Sequence, residues 1–230
     1  MKSCLLSAGV NTADLLHLGA QLEHLKGVAE WAHVDVMDGT FCPQLTVGPS
    51  FVKAVASSGV SVDAHLMVEE PRRFLSDIAL AGAGIITIHV EATRYLFQTL
   101  REMSQLQSDG PFLRGLALNP GTSLATLEPV IDLVDMVLVL AVEPGWSGQS
   151  PAANTAQRVE AVRKMVAGTG RDVLVGVDGG VTRQNASTVA SWGPDLIVSG
   201  SALYDGGDIA ANLQEILRAI NNPDASASEE

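Results

Sequence analysis

Short apolar runs rich in Val, Ile and Leu recur about every 20–30 residues along the chain. They fall at Cys4–Ser7, Ala32–Met37, Ser61–Met67, Ile85–His89, Leu113–Leu118, Met136–Ala141, Asp172–Val177 and Leu196–Ser199. Few charges interrupt them, as expected of strands covered on both faces. Between them lie segments with helical period: Ala13–Leu25, Pro49–Ser57, Pro71–Ala81, Arg94–Gln107, Leu124–Ile131, Ala153–Val166, Arg183–Ser191 and Ile209–Ile220. Eight strands alternating with eight helices predict an α/β protein with a parallel sheet. So many units in one domain favour closure into a single-domain (β/α)8 TIM barrel over an open doubly wound sheet. The barrel is expected to occupy residues 1–222, and the small, polar stretch 223–230 to form a disordered C-terminal tail.

The turn chemistry agrees. Asn119-Pro120-Gly121-Thr122, Glu143-Pro144-Gly145 and Asp178-Gly179-Gly180 each follow a strand and precede a helix, and Gly and Pro supply the backbone angles such loops need. In a barrel these loops build the C-terminal face, where active sites sit.

Composition narrows the function. The chain is 47% hydrophobic with only 4% aromatics, so its core must be aliphatic. Its 14 Lys/Arg against 26 Asp/Glu give a net charge of −12. With no basic cluster against that balance, nucleic acid and anionic membranes are disfavoured partners. No apolar span of roughly 18 residues suits a membrane helix, and the start lacks the apolar stretch of about 7–15 residues of a signal core. Cys4 and Cys42 are the only cysteines and match no disulfide framework or zinc pattern. A reducing, cytoplasmic setting is expected.

Chemistry concentrates in His33-Val34-Asp35-Val36-Met37-Asp38-Gly39. Side-chain direction alternates along a strand, so His33, Asp35 and Met37 share one face. An imidazole and a carboxylate on a buried strand face are costly unless they bind something. His65 and Asp178, at or near the ends of two other strands, extend the same device. Two imidazoles and two carboxylates suit zinc, iron or manganese, and the donor types do not select among them. The carboxylates would then stand close enough to a bound substrate to move protons. Gly179-Gly180 and Gly200-Ser201, after the last two strands, offer bare backbone N–H groups to a phosphate. Gly145-Trp146-Ser147-Gly148-Gln149 could close over the same group; it lacks the final glycine of a G-x-S-x-G elbow, which argues against Ser147 as a nucleophile. Ser7 could bond a substrate oxygen, and Met37 and Met67 could form a soft wall. His17 and His24 read as surface residues, and His89 as a lining residue near the rim.

These stretches together resemble the ribulose-phosphate 3-epimerase family. The likeness rests on His33 to Gly39 with Pro43 and Gly48-Pro49, Asp63-Ala64-His65-Leu66-Met67 with Pro71, and Ile86 to Glu91. It continues through Leu118 to Thr122, Val142 to Gly145, Val177 to Gly180 and Ser199 to Ala202, in order over about residues 3–205. The resemblance implies one divalent cation per subunit (Zn, Fe, Mn or Co) held by His33, Asp35, His65 and Asp178, with Asp35 and Asp178 as the acid/base pair. It implies substrate contacts from Ser7, His65, Gly145, Trp146, Ser147, Gly148, Asp178, Gly179, Gly180, Gly200 and Ser201. The expected activity is two-base epimerisation at C3 between D-ribulose 5-phosphate and D-xylulose 5-phosphate, a step of the pentose phosphate pathway, in a cytoplasmic homo-oligomer. Trp146 and Ser147 replace Phe and Gly of the usual loop, and Leu140 stands where the family commonly has Met. These departures keep a hexulose 6-phosphate open as the ketose phosphate substrate. A non-catalytic sugar-phosphate-binding barrel is the remaining alternative. A related barrel decarboxylase or aldol-type synthase would need Asp-x-Lys-x-x-Asp, but position 37 is Met.

Overall fold

The computed structural model of the chain describes residues 3–108, 110–146 and 148–222. Eight parallel strands close on themselves in sequence order: β1 Leu5–Gly9, β2 Trp31–Met37, β3 Val62–Met67, β4 Ala83–His89, β5 Leu113–Leu118, β6 Met136–Leu140, β7 Leu174–Asp178 and β8 Leu196–Ser199. β1 pairs with both β2 and β8, which leaves no free edge. The helices are α1 Leu18–Glu23, α2 Pro49–Ser57, α3 Leu75–Leu80, α4 Leu96–Met103, α5 Thr155–Thr169, α6 Ala186–Ser191 and α7 Ile209–Asn221. The predicted (β/α)8 TIM barrel is thus the observed fold. The expected tail at 223–230 lies outside the described residues.

One predicted helix is corrected. Leu124–Ile131 forms no α-helix; two short 3-10 turns, Leu124–Thr126 and Ile131–Leu133, take its place. Pro129 explains the difference. Its ring lacks an N–H for the helical ladder and pushes the preceding residue toward extended backbone. Likewise, the predicted Pro71–Ala81 helix divides into a 3-10 turn, Pro71–Arg73, and α3, with Phe74 between them at φ −117°.

Alternation sorts the strand side chains into two layers. Val34, Val36, Ala64, Leu66, Ile86 and Ile88 face outward into the continuous core shared with the helices. The other parity fills the lumen, where Ile85, Ala117, Met136, Leu138, Leu140, Leu196 and Val198 pack with Leu5, Trp31, Leu113 and Leu174. Higher up, the same inward parity presents Ser7, His33, Asp63, His65, Thr87 and His89, all fully buried. The lumen therefore has an apolar floor and a polar upper half, the arrangement a site at the C-terminal mouth requires.

Space in the lumen is tight at Gly115. A Cβ there would lie 2.2 Å from Thr87 Oγ1, 2.9 Å from its Cβ and 3.1 Å from its Cα. The backbone atom cannot swing aside, so Gly115→Ala is expected to lower stability by about 1–3 kcal/mol. A denaturant midpoint equal to that of the wild type would contradict this packing.

Candidate active site at the C-terminal mouth of the barrel

Register places the polar residues side by side before any side chain is considered. Asp35 of β2 pairs with His65 of β3, and His33 with Asp63. Asp178 ends β7, opposite Leu140 of β6. From these strands one ligand atom each of His33, Asp35, His65 and Asp178 converges so that all lie within 4.8 Å of one another. His33 Nε2 stands 3.1 Å from Asp35 Oδ1 and 3.7 Å from Asp178 Oδ2. His65 Nδ1 stands 3.2 Å and 3.4 Å from the same two oxygens.

The histidines are the buried side of this cluster and the carboxylates its open side. The imidazole side chains of His33 and His65 are 1% and 0% exposed, whereas Asp35 and Asp178 retain 27% and 15%. Burial would push His33 and His65 toward the neutral form, but the neighbouring carboxylates overcome it and hold both above the usual imidazole range. For Asp35, burial alone would raise the carboxyl. The charge on His33 and hydrogen bonds from His33 and His65 prevail, and it is held far below the usual carboxylate range.

Each member is oriented from behind. His33 Nδ1 lies 2.7 Å from Asp63 Oδ2, which also accepts from Ser7 Oγ at 2.8 Å. A carboxylate only accepts, so Nδ1 gives its proton to Asp63 and Nε2 is the His33 nitrogen that faces the cluster. Asn11 grips the Asp35 peptide on both sides, accepting from its N–H at 2.7 Å and donating to its carbonyl at 2.8 Å. Thr46 Oγ1 donates to that carbonyl at 2.6 Å and accepts from the Met37 N–H. Two nitrogen and two carboxylate donors from three strands, with the His33 donor already aimed inward, fit a divalent cation of the zinc, iron or manganese type.

Above the cluster opens a cavity of about 510 Å³, within the range of small-molecule sites. Asp35, Met37, Met67, Leu140 and Asp178 form its floor side, and Gly145, Trp146, Gly148, Gly179, Gly180, Gly200 and Ser201 its loop side. Gly179 and Gly180 adopt φ of +109° and +68°. An added Cβ at Gly179 would meet Val142 Cγ2 at 2.5 Å, and one at Gly180 would meet the Gln149 carbonyl at 2.7 Å. Only glycine fits this turn.

Nine of the expected contact and catalytic residues therefore line one cavity, with His33 and His65 just beneath it. Ser7 is placed differently: it is fully buried, off the cavity wall, with its hydroxyl given to Asp63. Ser147 lies outside the described residues. The residues behind the cluster, Asn11, Thr46 and Asp63, are additions to the expected set. Asp63 was within reach of the alternation rule, since it shares a strand face with His65, two residues on. Asn11 and Thr46 come from loops, where periodicity carries no signal.

Fold and site together define a (β/α)8 barrel whose C-terminal mouth gathers two imidazoles and two carboxylates, a set that could hold a divalent cation. Comparison with known proteins gives the particular family. A sequence model of the ribulose-phosphate 3 epimerase family matches residues 5–204, and the chain belongs to that family. It is 37% identical to the ribulose-phosphate 3-epimerase of Bacillus subtilis over 214 residues, covering 92% of this chain and 97% of the relative. It is also 37% identical to the chloroplastic ribulose-5-phosphate-3-epimerase of Arabidopsis thaliana, over 97% of this chain and 79% of that one. Among solved structures, 3-hexulose-6-phosphate synthase from Salmonella typhimurium superposes with a TM-score of 0.71 at 17% identity, covering 94% and 98% of the two chains. That likeness is one of fold. No helix among the described residues is long and apolar enough to cross a membrane.

Proposed function

We propose that the protein interconverts D-ribulose 5-phosphate and D-xylulose 5-phosphate by moving hydrogen across C3 between Asp35 and Asp178. The observation that carries this reading is the pairing of two carboxylates, from β2 and β7, at the floor of a single cavity whose other wall is glycine-rich loop. A ketose C3 proton is only weakly acidic, because its removal leaves negative charge shared by the C2 and C3 oxygens. When bound by His33, Asp35, His65 and Asp178, a divalent cation (Zn, Fe, Mn or Co) supplies Lewis-acid stabilisation of that charge.

The remaining steps belong to the chain. In one direction Asp35 serves as the base and Asp178 as the acid. Asp35 takes the C3 proton from one face, leaving a planar enediolate. Asp178 then delivers its own proton to the opposite face, so C3 is inverted and the protonation states of the pair are exchanged. The reverse reaction starts from that exchanged pair. Backbone N–H groups of Gly179, Gly180, Gly200 and Ser201 receive the phosphate, and Gly145, Trp146 and Gly148 cover the sugar. Met37, Met67 and Leu140 form the apolar wall against the planar anion. Ser7 and Asp63 act at one remove, by fixing His33.

The test is solvent exchange. In D2O, D-ribulose 5-phosphate is expected to gain deuterium at C3 as D-xylulose 5-phosphate appears by NMR. A protein that binds the sugar without exchange would be a sensor or scaffold, and the proposal would fall. Running the same assay on a hexulose 6-phosphate measures what the larger Trp146 does to substrate size. The two free thiols, Cys4 and Cys42, support a cytoplasmic setting. Exposed Leu16 and Leu45, at 91% and 80%, support a homo-oligomer, which sedimentation would reveal.

A further inference from the structure

Behind His65 runs a second chain of hydrogen bonds, longer than the one behind His33. His65 Nε2 lies 2.8 Å from His89 Nε2, with the two ring planes within 14° of parallel. His89 Nδ1 lies 3.2 Å from Glu91 Oε2. The other oxygen, Glu91 Oε1, accepts from the Asn119 N–H at 2.9 Å and from the Thr122 hydroxyl. Arg158 in turn donates to the carbonyls of Thr122 at 2.7 Å and Asn119 at 3.0 Å, so the loop after β5 is itself held.

The direction of this chain follows from its far end. Glu91 already accepts two donors on Oε1, the Asn119 N–H and the Thr122 hydroxyl, which favour its carboxylate form. It is therefore an acceptor toward His89, and His89 must carry its proton on Nδ1. His89 is fully buried with its Nδ1 proton committed to Glu91, and as a neutral imidazole it has a bare Nε2. Two bare nitrogens 2.8 Å apart would repel, so His65 supplies the proton from Nε2. That leaves Nδ1 of His65 as the nitrogen turned toward Asp35 and Asp178, where a cation would take the place of its proton. The Phe41 ring, 4.7 Å from His89 between centroids, packs against the middle of the chain.

We infer that Glu91 and His89 are positioning residues which set the tautomer of His65 from a distance and thereby tune the affinity of the cluster for its cation. This rests on the cation-binding reading of His33, Asp35, His65 and Asp178. Neither residue touches substrate or cation. Their effect is to hold a proton on His65 Nε2, so that Nδ1, facing the cluster, is the nitrogen that gives up its proton to a cation. In Glu91→Gln the carboxylate charge is lost. If its amide nitrogen faces His89, the chain reverses and a proton is placed on His65 Nδ1.

The experiment combines two readouts on the full-length chain with Zn2+ as probe. Nitrogen-15 NMR of the imidazoles should show His89 of the wild type protonated on Nδ1 and bare on Nε2. Chelator competition should show Zn2+ bound about 10–100-fold more weakly by Glu91→Gln and by His89→Gln than by the wild type. A merely structural role for Glu91 would lower the melting temperature of the metal-free variant and leave the Zn2+ Kd unchanged. That result, or a wild-type His89 protonated on Nε2, overturns the inference. The NMR arm needs no variant, so it decides even if both substitutions prevent folding. A wild type that binds no divalent cation defeats the metal reading itself, whereas normal wild-type binding with unaltered variants defeats only the role given to His89 and Glu91.

Discussion

Asp178→Asn is expected to lower kcat by at least about 10²–10⁴-fold, the range general acid–base groups contribute, in a protein that still folds. A carboxamide can neither take the C3 proton nor return one, and no other described carboxylate in the cavity approaches from β7. Folding should survive because Asp178 sits at the end of its strand, partly exposed, and Asn matches its shape. Among the described residues it faces His33 and His65, inside the cluster and away from the packed core. The measurement is kcat alongside circular dichroism and metal content, since loss of one ligand also weakens the cation site. Reconstitution to full metal occupancy separates the two effects: activity that stays low at full occupancy is the signature of a missing acid/base. Wild-type kcat in this variant would remove the two-base scheme. Asp35→Asn should fail in the same way, because the two aspartates act in series and neither can substitute for the other.

Much of this site was legible in the sequence, for a physical reason that also explains what was not. A strand repeats every two residues, so His33, Asp35 and Met37 could be assigned to one face from spacing alone, and the structure turns that face inward. The closed order of eight strands followed from counting apolar runs. Asp63 obeyed the same alternation but was hidden, because an acidic residue inside an apolar run carries no mark that it holds an imidazole in place. Ser7 illustrates the converse. Its position at a strand end suggested a substrate contact, while its buried hydroxyl is committed to Asp63; only coordinates reveal which of two acceptors a hydroxyl chooses. The Leu124–Ile131 segment shows the limit of periodicity, since its apolar spacing is helical but Pro129 removes a needed donor. Glu91 lies beyond β4, outside any regular element of period two, so its reach to His89 and to the loop after β5 depends on tertiary packing.

Complete removal of divalent cations is expected to silence the protein, with activity returning on addition of about one equivalent per chain. Lewis-acid stabilisation of the developing charge is worth several kcal/mol, and each 1.4 kcal/mol or so is tenfold in rate, so a loss of about 10²–10⁴-fold follows. The polypeptide should remain folded without the cation, because the barrel is closed by its own strands and the apolar floor and outer core do not involve the cluster. Stability offers a second, independent readout. A cation at 100 times its Kd adds about 2.7 kcal/mol to the folded state by mass action, which for a chain of this size raises the melting temperature by roughly 5–10 °C. The His33→Ala variant should lose most of that increment together with activity, since it deletes a ligand that Asp63 already holds in place. Reconstitution with zinc, manganese, cobalt and iron in turn would rank the cations by kcat, which the mixed nitrogen and oxygen donors leave open. Undiminished turnover in rigorously metal-free protein would exclude the Lewis-acid role, and it would leave Asp35 and Asp178 to carry the proton transfer unaided.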